Sequence, residues 1–179
     1  SSDVCSSDLV EHKVIQWLAR AHDIKAIHTE NCLLSGLFGV FFWEVIFAPL
    51  DGAFFHPYQS APADLYDQDF YLRREASFQS RFEVLDGAPD RLDLFRQTYQ
   101  AKVGIQNPFV VWSVIDLPLC EQILNRLAWP GLRSLFESMA KNPRQATKGF
   151  PDLVVIHEKT IELIEVKGPG DRLQDHQIK

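Results

Sequence analysis

Two short runs of β-type residues near the end of the chain constrain its fold more than any other stretch. Residues 153–156 read Leu-Val-Val-Ile, residues 161–166 read Ile-Glu-Leu-Ile-Glu-Val, and four mostly polar residues separate them. Apolar, β-branched runs bounded by a polar turn predict two antiparallel strands joined as a hairpin. A turn centred on Glu158 and Lys159 sets the pairing register, and that register places Asp152 directly opposite Glu165.

The two carboxylates that this register opposes, Asp152 and Glu165, form a candidate metal site. Side chains paired across antiparallel strands have Cβ atoms about 4.5–5.5 Å apart, and two acids at that separation repel each other unless a cation compensates. Mg²⁺ binds oxygen ligands and is usually held by one or two carboxylates together with water. Such an ion acidifies bound water and stabilises charge on a phosphoryl group. The pattern therefore predicts metal-dependent hydrolysis of phosphodiesters.

Lys167 completes the predicted catalytic set. Side chains alternate faces along a strand, so Lys167 shares the face of Glu165 while Val166 points away. Its ammonium group then lies near the attacking water or the scissile phosphate. An acid-x-lysine pattern alone is common on exposed strands. The opposed acid and the Gly-Pro-Gly break at residues 168–170 make the combination much more specific.

Basic residues flank the hairpin on both sides. Asp171 is a favourable N-cap for a helix that begins at Arg172, which makes Arg172 a candidate DNA contact. Lys148 precedes the hairpin in a local basic cluster with Lys141 and Arg144, and it is a second candidate. A solvated surface position explains each of these residues equally well.

The closing stretch resembles the VRR-NUC domains of the PD-(D/E)xK nuclease superfamily. The matching residues are 149–153 (Gly-Phe-Pro-Asp-Leu), 165–173 (Glu-Val-Lys-Gly-Pro-Gly-Asp-Arg-Leu) and Gln177. The resemblance implies an α+β fold. A helical lead-in, residues 10–140, packs on a PD-(D/E)xK restriction-endonuclease-like core, residues 141–179, that is truncated at its C-terminus. It also implies that the Val166 backbone carbonyl completes the metal shell and that Gln177 lies near the bound DNA.

The most apolar stretch, residues 33–47, predicts a buried helix in which Gly36 and Gly39 permit close packing. A membrane span needs about 20 mostly apolar residues. This run is shorter and contains Glu44, to which we assign a structural role, so we expect no membrane association.

Glu30 precedes that helix. Thr29 is a candidate N-cap, which would put Glu30 in the first helical turn, where an acid complements the helix dipole. The sequence His28-Thr29-Glu30, followed by a helix that ends in Phe-Phe-Trp-Glu-Val-Ile-Phe, resembles the bacterial-type branch of the Fanconi-associated nucleases. That resemblance implies that Glu30 is a third metal ligand.

The rest of the lead-in is predicted to form amphipathic helices joined by loops. The predicted helices cover residues 10–21, 70–84, 90–102, 119–127 and 131–139. Residues 61–65 and the Arg-Glu pair at residues 74–75 lie in segments that also resemble the family. Arg74 is a candidate phosphate contact, and a salt bridge to a neighbouring acid is the alternative.

Composition limits how the chain binds nucleic acid. The 179 residues carry a net charge of −6, which argues against a general electrostatic grip on DNA. A bound cation reverses the local sign at a carboxylate site, so the charge does not exclude a nuclease. Three scattered cysteines predict neither zinc nor a disulfide framework and fit a reducing cytoplasm.

The first nine residues, Ser-Ser-Asp-Val-Cys-Ser-Ser-Asp-Leu, are unlike the rest of the chain. They match the translation of a common sequencing-adapter stretch, and we interpret residues 1–9 as an artefact outside the fold. The resemblance further implies a fragment of a longer protein, with the last helix cut short.

The resemblance implies a deoxyribonuclease that uses one or two Mg²⁺ or Mn²⁺ ions. Its implied activity is cleavage of branched DNA as a 5′-flap endonuclease and 5′-to-3′ exonuclease of the phosphodiesterase I type, in interstrand crosslink repair. We expect it to work in the cytoplasm, at the nucleoid. Two alternatives are a stand-alone VRR-NUC nuclease that resolves Holliday junctions and a non-catalytic DNA-binding module.

Overall fold

The computed structural model describes residues 25–28, 32–147, 153–156 and 161–164, with the backbone alone for the first and the last two ranges. The strands are β1 (Lys25–His28), β2 (Leu153–Ile156) and β3 (Ile161–Ile164). The helices are α1 (Leu33–Phe41), α2 (Trp43–Ile46), α3 (Phe70–Gly87), α4 (Arg91–Lys102), α5 (Leu117–Arg126), α6 (Trp129–Lys141) and α7 (Pro143–Thr147). The helix predicted for residues 10–21 lies outside the described residues.

The three strands form one antiparallel sheet in the order β1-β2-β3. Leu153 pairs with Ile164 and Ile156 pairs with Ile161, so the predicted hairpin and its register are confirmed. Strand β1 was not predicted. It pairs with β2 across more than a hundred intervening residues, from Lys25 opposite Ile156 to His28 opposite Leu153. Four residues followed by a strongly helical run carry too weak a local signal to indicate such a strand.

Helix α1 lies at the centre of the helical part, and each of its nine residues is buried. A helix that is apolar on all sides must be surrounded by other elements. Aromatic rings make up much of the packing around it. The Phe38 ring centroid lies 5.0 Å from that of Phe42, 5.0 Å from that of Phe109 and 6.0 Å from that of Phe136. The single helix predicted for residues 33–47 is in fact two helices, since the chain leaves helical geometry at Phe42.

Two glycines of α1 allow this close packing, as predicted. A Cβ atom on Gly39 would lie 2.7 Å from Val110 Cγ2 and 2.9 Å from Phe109 Cβ. At Gly36 it would lie 1.9 Å from the Cδ1 atom of Ile115. The loop before α5 therefore contacts the helix backbone directly at these two positions.

The start of α1 corrects one prediction. Cys32, not Thr29, is the N-cap, because the Cys32 carbonyl accepts the first helical hydrogen bond from the Gly36 amide at 2.9 Å. The Ser35 hydroxyl donates to the same carbonyl at 3.2 Å. The N-cap predicted at Thr29 is therefore wrong for this helix, and Glu30 lies outside the described residues.

The outer helices largely match their predicted positions, because their ends carry clear capping signals. The Asp90 side chain accepts from the Asp93 amide at the start of α4, and the Asp116 side chain accepts from the Leu119 amide at the start of α5. Helices α5 and α6 both begin earlier than predicted, since each has a proline in its first turn, where no helical hydrogen bond is broken. No helix among the described residues has the length and apolar character needed to cross a bilayer.

We predict that Gly39→Ala destabilises the fold by about 1–3 kcal/mol, since the added methyl group overpacks the contact with Val110 and Phe109. Urea denaturation followed by circular dichroism measures the change. Gly87→Ala is the matched control, because its Cβ would meet nothing within 4 Å. Equal stability of the two variants would contradict the proposed close packing.

Candidate active site

The ends of all three strands meet at one edge of the sheet. His28, the last residue of β1, pairs with Leu153, the first residue of β2. Leu153 in turn pairs with Ile164, the last residue of β3. This row is the point at which the chain leaves β1, enters β2 and leaves β3. The three predicted acidic ligands follow or precede these strand ends by one or two residues in sequence.

Most of the predicted site residues lie outside the described residues. These are Glu30, Lys148, Asp152, Glu165, Val166, Lys167, Arg172 and Gln177. Their roles therefore stay predictions, supported by the strand register on which the hairpin argument depends. Within the part of the chain that the structure describes, no group of three or more acidic, histidine or cysteine side chains is arranged to hold a metal.

Arg74 does not contact solvent, which corrects its prediction as a phosphate contact. The residue is 1% exposed, and its guanidinium group lies 4.2 Å from the Phe70 ring centroid. Its Nη1 and Nη2 atoms donate to the two carboxylate oxygens of Asp64 at 2.7 and 2.9 Å. The salt bridge to a neighbouring acid, the alternative interpretation, is what the structure contains. A buried, bidentate arginine has no surface to offer a phosphate.

Asp64 joins the loop before α3 to that helix. Arg73 also donates to it, at 2.6 Å, and a further Arg73 nitrogen donates to the Asp51 carbonyl. Burial raises the pKa of the Asp64 carboxyl, but the hydrogen bond and the charge of Arg74, and then the charge of Arg73, outweigh it and lower that pKa overall. The carboxylate is therefore ionised at neutral pH. The sequence does contain an acid, Asp64, followed by two arginines, Arg73 and Arg74. The residues between them lie partly in a loop, so no regular spacing indicated that these side chains pair.

The segment that leads to the hairpin is fixed by two tyrosines. Arg144 lies over the Tyr66 ring at 4.8 Å, and the Lys141 ammonium lies 5.5 Å from the Tyr71 ring centroid. Lys141 also pairs with Glu137 at 3.7 Å. The two tyrosines, Lys141 and Arg144 line a recess of about 170 Å³ together with Asn142 and neighbouring residues. Within the predicted basic cluster, Lys141 is therefore partly neutralised by Glu137. Arg144 is also exposed, and it makes no ion pair among the described residues.

Cys120 does not supply a nucleophile. Burial raises the pKa of the Cys120 thiol to about 12, so the thiolate is not formed at neutral pH. Hydrolysis by a carboxylate-held ion needs no such group.

The chain is similar to a family of nucleases along nearly its whole length. Residues 90–179 match the VRR-NUC domain family. The chain is 40% identical to the Fanconi-associated nuclease 1 homolog of Pseudomonas aeruginosa over 99% of this chain and 33% of that relative. It is 30% identical to mouse Fanconi-associated nuclease 1 over 94% of this chain and 17% of that protein. The chain therefore spans about a third of the bacterial relative, and the resemblance read from its motifs is confirmed.

Solved structures show the same relationship. A crystal structure of paFAN1 bound to 2nt 5′-flap DNA with a gap superposes with a TM-score of 0.80 at 40% identity, covering 94% of this chain and 31% of that one. The complex of paFAN1 with 1nt 5′-flap DNA gives a TM-score of 0.81 at 41% identity. The mostly helical architecture observed here is therefore that of the corresponding part of paFAN1.

We predict that Asp64→Ala lowers the free energy of unfolding by about 3–5 kcal/mol at pH 7, because it leaves Arg74 as a buried cation without its carboxylate. Asp86→Ala is the matched control. Asp86 pairs with Arg133 at half-exposed side chains and accepts a hydrogen bond from Trp129, so its removal should cost less, about 1–2 kcal/mol. Urea titrations measure both, and equal losses would contradict a dominant role for burial.

The same pair predicts a pH dependence. Since the folded pKa of Asp64 is lowered, its stabilisation is fully present above the ordinary value of 3.8 and is lost as the pH falls through the lower folded pKa. The stability difference between the parent chain and Asp64→Ala should therefore shrink in acid. A difference that stays constant down to the acid-unfolding range would show that the carboxylate charge is not its source.

Proposed function

Because this chain belongs to the VRR-NUC domain family, we propose that it forms the catalytic part of a metal-dependent DNA nuclease. The observation that carries the proposal is the shared sheet edge. Each of the three predicted acids adjoins the end of one strand, and these strand ends lie in one paired row: His28, Leu153 and Ile164. The acids that adjoin this row come from segments far apart in sequence. Their strands end side by side, which supports a common metal site.

The confirmed register supports the pairing of the central acids. The same register, continued by one residue beyond the pair of Leu153 and Ile164, would oppose Asp152 to Glu165. Two acids opposed in this way need a compensating cation. With Glu30 and the Val166 carbonyl, the donor set consists of oxygen atoms alone, which suits Mg²⁺ or Mn²⁺ rather than a soft metal.

The chain's own residues then have distinct roles. Glu30, Asp152 and Glu165 would hold one or two ions, which when bound acidify water and stabilise phosphoryl charge. Lys167 orients the attacking water and offsets negative charge on the scissile phosphate. Because it follows Glu165 by two residues, an extended backbone puts both side chains on one face.

Contacts with DNA outside the metal site must be local, since the chain carries a net charge of −6. We propose Lys148 and Arg172 as phosphate contacts, with Gln177 in a supporting position. Exposed Arg144, four residues before Lys148, extends this surface. Arg74 is excluded, because it is buried and paired.

We propose branched DNA with a 5′ flap as the substrate class, because paFAN1 was solved with such DNA and shares both fold and sequence with this chain. Flap endonuclease and 5′-to-3′ exonuclease action in interstrand crosslink repair, in the cytoplasm at the nucleoid, would follow. The long helical part before the hairpin disfavours a small stand-alone resolvase, and the three retained acids disfavour a binding module.

The decisive experiment assays cleavage of a 5′-flap substrate by the protein expressed from its complete reading frame. We expect Mg²⁺-dependent cleavage that a chelator abolishes. Asp152→Asn should lower the rate by more than about 100-fold, since even indirect partners of metal ligands contribute about 10–100-fold. Glu44→Gln is the control, because that acid is 85% exposed and its partner is Lys102.

Three outcomes would contradict the proposal in different ways. Unchanged cleavage by Asp152→Asn would remove that residue from the site. Binding of flap DNA without cleavage, at any metal concentration, would favour a binding module. Preferential cleavage of four-way junctions over flaps would favour the resolvase alternative.

A further inference from the structure

Tyr66 connects the loop before α3 to the last turn before the hairpin. Its hydroxyl lies 3.1 Å from the Thr147 hydroxyl, although 81 residues separate the two. Thr147 is the last residue of α7 and precedes Asp152 by five residues. We propose that Tyr66 is a positioning residue, which holds the end of α7 so that the predicted metal ligands are correctly placed. This inference rests on the proposed function.

The direction of the hydrogen bonds supports this role. The Thr147 hydroxyl donates its single proton to the Arg144 carbonyl at 3.1 Å. It can therefore only accept from Tyr66, so the tyrosine hydroxyl is the donor. The guanidinium group of Arg144 lies over the Tyr66 ring at 4.8 Å. Ring and hydroxyl thus contact two residues of one helical turn, which fixes that turn in both position and rotation.

Helix α7 needs such support, because a helix of five residues is not stable by itself. Its inner side is held by Pro143 and Ala146, both buried. On its outer side, Tyr66 contacts both Arg144 and Thr147. Removing the hydroxyl of Tyr66 would remove the hydrogen bond that ties Thr147 to the loop before α3, without exposing the core.

Tyr66 is itself held in place by the interior. It follows Asp64 by two residues, and the intervening Leu65 is 3% exposed. Asp64 is anchored by Arg74, whose guanidinium group is fully buried. The backbone therefore links the buried ion pair, through buried Leu65, to Tyr66, and Tyr66 contacts Thr147.

A positioning role differs from a purely structural one in what it changes. Tyr66 is 46% exposed, so loss of its hydroxyl leaves no buried polar group without a partner and should change thermal stability little. The expected effect is on metal affinity. Loss of one hydrogen bond corresponds to roughly a threefold to tenfold change in a binding constant.

The test measures Mn²⁺ binding by the loss of the free-ion electron paramagnetic resonance signal, together with Tm and the Mg²⁺ concentration for half-maximal flap cleavage. The protein from the complete reading frame is used throughout. Tyr66→Phe and Thr147→Val should each weaken Mn²⁺ binding roughly threefold to tenfold and raise the half-saturating Mg²⁺ concentration by a similar factor. Thr147→Ser, which keeps the hydroxyl, should restore both values to within about twofold.

Tyr58→Phe is the matched control, because it removes a tyrosine hydroxyl from a residue that is 90% exposed. It should leave Mn²⁺ affinity unchanged. Two results for Tyr66→Phe would overturn the positioning role while leaving the proposed nuclease intact. One is an Mn²⁺ affinity equal to that of the parent; the other is a loss of affinity accompanied by a proportional fall in Tm. A parent protein that neither binds Mn²⁺ nor cleaves DNA would overturn the proposed function and, with it, this inference.

Discussion

Close packing around α1 is the constraint on which the rest of the helical part depends. The helix has no polar face, so every direction around it must be filled by another element. Gly36 and Gly39 bring Ile115 and Val110 against its backbone, while rings from α3 and α6 surround Phe38. Because α1 follows β1 after a few residues, the position of this helix also limits where the first strand of the sheet can lie.

The buried Arg74–Asp64 pair is the polar counterpart of that apolar packing. Two opposite charges are removed from water here, and their bidentate geometry and the additional Arg73 bond compensate much of the cost. The pair fixes a loop of irregular structure to α3, where apolar contacts alone would allow several arrangements. Two residues after Asp64 in the same loop, Tyr66 contacts α7. The buried salt bridge therefore helps to position the segment before the hairpin.

Action of an acidic chain on DNA, as proposed here, requires basic side chains that are concentrated in one place and not neutralised by acids. Among the described residues several basic side chains are committed to acids, as in Arg96 with Glu121 and Arg133 with Asp86. Arg144 instead rests on a tyrosine ring, where its charge is still available to an anion. Local placement of this kind, together with a carboxylate-held cation, reconciles the net charge of −6 with the proposed substrate.

Local interactions explain which features could be predicted from the sequence. The hairpin register follows from one turn, the start of α4 follows from its capping acid, and burial of α1 follows from its composition, so all three were predictable. Three features became visible only in the folded chain: the pairing of β1 with β2, the start of α1 at Leu33 and the burial of Arg74. Each of these depends on partners distant in sequence or on competition between neighbouring elements. No local pattern encodes a strand's partner, and a charged side chain shows its burial only once its counter-ion is in place.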